Sequence, residues 1–185
     1  MNNPKPQEWK SEELSQGRIM DYKAFNFVDG EGVRCSLYVS GCLFHCPGCY
    51  NVATWSFSAG VPYTQELEEQ IMQDLSQSYV QGLTLLGGEP FLNTGILLPL
   101  VKRIRKELPT KDIWSWTGFT WEELALETPD KLELLESIDI LVDGRYDASK
   151  RDLTLQFRGS SNQRIIDVPK SLKANTVILW ENLKQ

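Results

Sequence analysis

Four short apolar segments constrain this chain most, because helical patterns separate them after the first and each ends in a glycine- or cysteine-bearing loop. They cover residues 33–40, 82–86, 112–116 and 138–142. The first mixes β-branched and aromatic residues in rough alternation, the mark of a strand. Between them, residues 64–79 read as a helix, with Thr64 as N-cap and Leu67, Ile71 and Leu75 at fourfold spacing. Residues 94–108 read as a second helix, stopped by Pro109. Thr120-Trp121-Glu122-Glu123 fits a capping box that opens a third, breaking near Pro129 and resuming to Ser137. Weaker strands are expected around residues 164–168 and 176–180.

Strands that alternate with helices of this length form parallel βαβ units joined by right-handed crossovers. The expected class is therefore α/β. A closed eight-stranded barrel needs about 250 residues, and this chain has 185. A partial, open parallel β/α barrel fits better. Residues 1–19 read as a polar, poorly ordered extension, and residues 20–185 as a single domain. The cysteine loop, Gly87-Gly88-Glu89-Pro90, Trp116-Thr117-Gly118 and Asp143-Gly144 each follow a strand. Ligands of barrels and open parallel sheets bind at that end.

Composition excludes some roles. Hydrophobic residues at 41% and charged residues at 24% are ordinary for a globular chain, not a disordered one. A net charge of −6 argues against non-specific nucleic-acid binding, which needs a basic surface. No apolar run approaches the ~20 residues that span a bilayer, so no membrane partner is expected. The polar start is unlike a secretory signal, which makes the cytoplasm the expected compartment.

All four cysteines, Cys35, Cys42, Cys46 and Cys49, fall between residues 35 and 49. A disulfide framework would spread them along the chain, so clustering points to a metal. Cys42-x3-Cys46-x2-Cys49 lets one loop wrap a compact inorganic centre. Thiolates are the usual ligands of iron–sulfur clusters, and three of them would leave one iron of a cubane open. The competing reading is structural zinc, completed by Cys35 or by His45, the single histidine. Zinc sites usually draw on two separated pairs, and no second pair exists here. His45 lies between two ligands of the same loop, and Cys35 sits in mid-strand, where a small buried cysteine is common. Spacing favours iron–sulfur over zinc. Gly87-Gly88, taken alone, reads equally as a plain strand-to-loop turn.

At this point the chain resembles the radical S-adenosylmethionine (SAM) superfamily, and within it the activating proteins of anaerobic ribonucleoside-triphosphate reductase. The resemblance rests on Asp29-Gly30-Glu31-Gly32-Val33-Arg34, on Gly41-Cys42 through Cys49-Tyr50-Asn51 with Thr54-Trp55, and on Leu86 through Pro90. Lys111-Asp112-Ile113-Trp114 with Trp116-Thr117-Gly118, Asp143-Gly144, and Arg158-Gly159-Ser160 with Asn162-Gln163 extend it. The segment before Met20 looks additional, and Glu89 stands where the family often has Asp.

The resemblance implies a radical SAM fold and a [4Fe–4S] cluster held by Cys42, Cys46 and Cys49. SAM would chelate the open iron, with contacts from Gly48, Cys49, Tyr50, Gly87, Gly88 and Glu89. The cluster and SAM carry the chemistry, so no separate catalytic side chain is expected. The implied function is reductive cleavage of SAM to install a glycyl radical on the large subunit of the reductase, with electrons from a flavodoxin or ferredoxin. The alternative is a small radical SAM enzyme acting on a small molecule. The limited chain after Val142 leaves little room for a substrate domain and favours a protein substrate.

Overall fold

A computed structural model of the protein describes residues 1–182. In chain order its elements are α1 (Ser11–Leu14), β1 (Arg18–Asn26), β2 (Arg34–Val39), β3 (Val61–Pro62), α2 (Gln65–Leu75) and β4 (Gly82–Gly87). There follow α3 (Thr94–Glu107), β5 (Asp112–Trp116), α4 (Trp121–Leu124), α5 (Pro129–Glu136), β6 (Ile140–Asp143), β7 (Arg164–Asp167) and α6 (Val168–Ala174). The strands form one open, mixed sheet in the order β3-β1-β2-β4-β5-β6-β7.

The four strands read from the sequence are β2, β4, β5 and β6, and they pair in parallel. The flanking strands pair antiparallel, β1 with β2 and β3, and β7 with β6. The sheet is therefore not uniformly parallel. The seven residues between β1 and β2 are enough for an antiparallel return, whereas a parallel neighbour needs a crossover of a dozen or more residues.

Alternation along the strands separates two faces. Cys35, Leu37, Val39, Leu83, Leu85, Ile113, Leu141 and Ile166 join the helices in the main core. Ile71 and Leu75 bring α2 into it, Leu97, Leu100, Val101 and Ile104 bring α3, and Leu134 and Leu135 bring α5. Each fully buried side chain of this kind stabilises by about 1.5–3 kcal/mol. Trp114, Ile140, Val142, Ile165 and Trp180 cluster on the opposite face. There Arg34, fully buried, donates to Thr84 Oγ1 at 2.7 Å and Leu83 O at 2.9 Å, and pairs with Asp112 at 2.6 Å.

Helix ends follow their chemistry. Thr64 Oγ1 accepts from Leu67 N at 3.2 Å, and the Thr120–Glu123 capping box is complete. The third helix breaks as expected into α4 and α5, with Pro129 opening the second, where a missing N–H is tolerated. The tail departs from expectation. After β7 the chain turns into α6, capped by Asp167 accepting from Lys170 N at 3.1 Å, and residues 176–180 contribute only an isolated bridge from Leu179 to Ile166.

Residues 1–19 are not a loose extension. Trp9 packs against the main core, Ser11 is buried, and residues 18 and 19 already belong to β1. Polar composition misled here, because the segment is held by hydrogen bonds and one aromatic ring. Among the described residues, no helix is long and apolar enough to cross a membrane.

Candidate active site

The parallel strands β2, β4, β5 and β6 end at one side of the sheet, and the loops that follow them enclose a cleft of about 410 Å3. Cys42, Cys46 and Cys49 line it together with Gly87, Gly88, Glu89, Trp116, Thr117, Gly118 and Gly144. Asp29, Asn51, Trp55, Tyr146, Arg158 and Gln163 complete much of the wall. The loops singled out in the sequence are thus brought together.

The cysteine loop is stitched down by its backbone. Gly41 N donates to Thr54 O at 2.7 Å and Cys42 N to Trp55 O at 3.0 Å. Glu89 N donates back to Gly41 O at 2.8 Å, and Gly88 N to Val39 O at 2.8 Å. This explains the glycine pair. Gly87 has φ +103°, and a Cβ there would stand 2.8 Å from Tyr38 Cα. A Cβ at Gly88 would stand 2.5 Å from Gly41 O. The close approach they permit is to the chain itself, which brings the Glu89 turn against the cysteine loop.

Asn51 N donates to Cys49 Sγ at 3.4 Å. The backbone amides of Phe44 and His45 pull the Cys42 thiol down, and that of Tyr146 does the same for Cys46. Burial, with the Glu89 carboxylate close by, still pushes the Cys42 thiol up to about 12. Burial also raises the Cys46 thiol. All three cysteines are free of disulfides. No group of three or more His, Cys, Asp or Glu side chains among the described residues stands close enough to hold one metal ion. A thiolate-only donor set in a loop lined with amides suits an iron–sulfur cluster, whose sulfurs take such hydrogen bonds.

Cys35 lies elsewhere. It is fully buried in mid-β2, in the main core, with its thiol raised by burial. His45 is exposed and stacks on Trp55 at 4.4 Å, away from any ligand role. Gly48, at φ +77°, and Tyr50 are exposed on the loop, and the Tyr50 side chain is 100% exposed. Tyr50 is therefore not a core aromatic, and neither residue is among those lining the cleft.

Glu89 is 1% exposed and acts as a strut. Its Oε1 accepts from Phe91 N at 3.0 Å and Thr117 Oγ1 at 2.8 Å, and its Oε2 accepts from Gly118 N at 2.8 Å. It thereby ties the loops after β4 and β5 together. Burial pushes its carboxyl up to about 7 against those three donors. Asp143, also buried, accepts from Trp121 N at 2.8 Å and pairs with Arg164, which Glu122 holds on the other side. This is a fixed structural network. Arg158 is different. Its Nη1 donates to Gln163 O at 2.9 Å, while its Nε is buried without a partner. The sequence motifs already contained Asn51, Arg158 and Gln163, although none was assigned to the cleft, whereas Tyr146 was marked only by its place in the loop after β6.

The comparisons with known proteins agree in kind. A family described as "4Fe-4S single cluster domain" matches residues 28–166. An anaerobic ribonucleoside-triphosphate reductase-activating protein of Pasteurella multocida is 47% identical over 150 residues, 79% of this chain and 94% of its own length. The protein of that name from Haemophilus influenzae is 46% identical over 152 residues, covering 79% and 95%. The one from Enterobacteria phage T4 is 40% identical over 159 residues, covering 85% and 94%.

Proposed function

The chain belongs to the family of anaerobic ribonucleoside-triphosphate reductase-activating proteins, and from that membership we propose that Cys42, Cys46 and Cys49 hold its [4Fe–4S] cluster and that SAM binds beside it in the cleft. The protein is an activating enzyme of the radical SAM type and serves the anaerobic reductase. On this reading the open seven-stranded sheet is the partial barrel of the radical SAM fold. When bound, the cluster supplies the electron that cleaves SAM and so leads to the glycyl radical on the large subunit of the reductase.

The carrying observation is that the three cysteines of the loop line one cleft with the Gly87-Gly88-Glu89 turn. The chain's own residues do three things there. The amides of Phe44, His45, Tyr146 and Asn51 stabilise thiolate charge. The Glu89 turn, with Thr117 and Gly118, forms a wall of the cleft that would hold SAM. Gly48 and Tyr50 lie outside the cleft lining, so any contact from them to SAM is through the backbone on either side of Cys49. Arg158 offers a cation with an unused donor to the SAM carboxylate.

An exposed apolar residue, Val28, lines the cleft at 74% exposure, and Phe27 next to it in sequence and Leu153, two residues before the lining Leu155, are exposed as well. These suit a docked protein segment of the reductase better than a small polar substrate. The electron donor is a flavodoxin or ferredoxin on this reading, and the compartment is the cytoplasm. The test is anaerobic reconstitution with iron and sulfide, then dithionite, SAM and the reductase. A glycyl radical by electron paramagnetic resonance is expected. SAM cleavage without that radical would instead indicate a small-molecule enzyme.

A further inference from the structure

The segment before β1 reaches the back of the cysteine loop, and its reach is specific. Trp9 meets Phe44 edge-on at 5.0 Å and Phe119 at 6.2 Å. Its carbonyl accepts from Lys131 Nζ, which also pairs with Glu127 at 2.6 Å. Gln7 N donates to Glu127 at 3.2 Å, Ser11 Oγ accepts from Thr94 N at 2.9 Å, and Ser15 Oγ donates to Asn93 at 2.8 Å. These contacts lay the segment along the molecule and end it at Asn2. Asn2 Nδ2 donates to Leu43 O at 2.6 Å, and Asn2 N donates to Phe44 O at 2.9 Å. Arg145, whose guanidinium lies 4.6 Å from the Phe44 ring, donates to Asn2 O.

Those two carbonyls belong to particular peptide planes. The Leu43 carbonyl shares its peptide with the Phe44 amide, and the Phe44 carbonyl shares its peptide with the His45 amide. Phe44 and His45 follow Cys42 by two and three residues, and their amides hold its thiol down against burial. A trans peptide points its C=O and N–H in opposite directions. Asn2 therefore donates on one side of the same two peptides that act on the sulfur from the other. Chains of hydrogen bonds polarise one another, strengthening each by roughly 10–30%.

We propose that residues 2–15 form a strap whose Asn2 tunes the cluster's reduction potential by polarising the two peptides that face Cys42. The inference rests on Cys42 being a cluster ligand. Hydrogen bonds to cluster sulfurs are among the determinants of its potential. Reduction adds negative charge, so donors to sulfur favour the reduced form and raise the potential. Loss of the strap lowers it. Asn2 is thus a positioning residue that never touches the cluster. The matched family domain begins only at residue 28, beyond the strap.

The experiment is an anaerobic redox titration of reconstituted wild type, Asn2→Ala, and a chain lacking residues 1–9, with iron content and thermal melts measured alongside. Asn2→Ala keeps its backbone donor, so its midpoint is expected to shift to a more negative potential, and that of the shortened chain further still. Asn2→Ala is expected to keep wild-type iron content and melting temperature, which separates tuning from simple stabilisation. An unchanged or more positive midpoint in Asn2→Ala overturns the proposal, even if the shortened chain shifts. Failure of wild type to take up a cluster, or a cluster retained in Cys42→Ala, overturns the ligand assignment instead.

Discussion

At the residue scale, four side chains of the site region meet burial in different ways. The Cys42 thiol is raised by burial, so the cluster-free chain keeps it protonated, and a cluster must displace that proton. Alanine at Cys42, Cys46 or Cys49 is expected to remove cluster and SAM cleavage alike, read by iron content and product assay. Cys35→Ala is expected to keep wild-type iron content and to cost about 1 kcal/mol of stability from lost packing. Glu89 gives a pH signature in the cluster-free chain. Its folded value near 7 lies above its ordinary 4.5, so the folded chain binds more protons through that window. Stability from this group is present below about pH 4.5 and is lost as pH rises to about 7, by on the order of 3 kcal/mol. Denaturation across that range should show the slope, and Glu89→Gln should flatten it. Arg158→Gln is expected to weaken SAM binding by roughly 10- to 100-fold, the worth of a charge-assisted hydrogen bond. Binding of a decarboxylated SAM analogue, measured by calorimetry, should be unaffected. The three loop cysteines and the Glu89 turn were legible in the sequence, because spacing announces them. Arg158 and Asn2 were not, because their roles depend on contacts 5 and 41 residues away in the chain.

At the element scale, the alternation of apolar strand and amphipathic helix was enough to find β2, β4, β5 and β6 with α2 and α3. Those strands sit inside the sheet, where both faces are covered and the apolar signal is dense. β1 escaped notice because Ile19 is its only fully buried residue, leaving a weak pattern on a flanking strand. α6 escaped because Val168 reads as the end of a strand, although Asp167 before it is an N-cap. The element most dependent on one buried pair is α5. Lys131 and Glu127 are 0% and 2% exposed at their side chains, and Lys131 also holds the Trp9 carbonyl. Lys131→Met leaves the Glu127 carboxylate buried without its cation. It is expected to cost about 3–5 kcal/mol in chemical denaturation and to loosen the residue 1–9 segment, read as faster proteolysis there.

At the scale of the whole molecule, the open sheet leaves β3 and β7 as its two edges, and both are guarded. β3 is two residues long and contains Pro62, which cannot donate to a further strand, while Leu179 bridges to β7. Sheet extension between copies is therefore discouraged, which suits a chain that keeps an apolar mouth open for a partner. The composition gave no sign of this, since edge protection is a property of strand order. The cleft wall runs from Val28 to Gln163, so its parts are far apart in the chain. Synthesis at 5–20 residues per second places Gln163 on the order of ten seconds behind Cys49. For that interval a nascent chain carries three thiols with no wall around them. Cluster delivery is then a late event in the life of the molecule, because the wall that encloses the cysteines is complete only once Gln163 has been made.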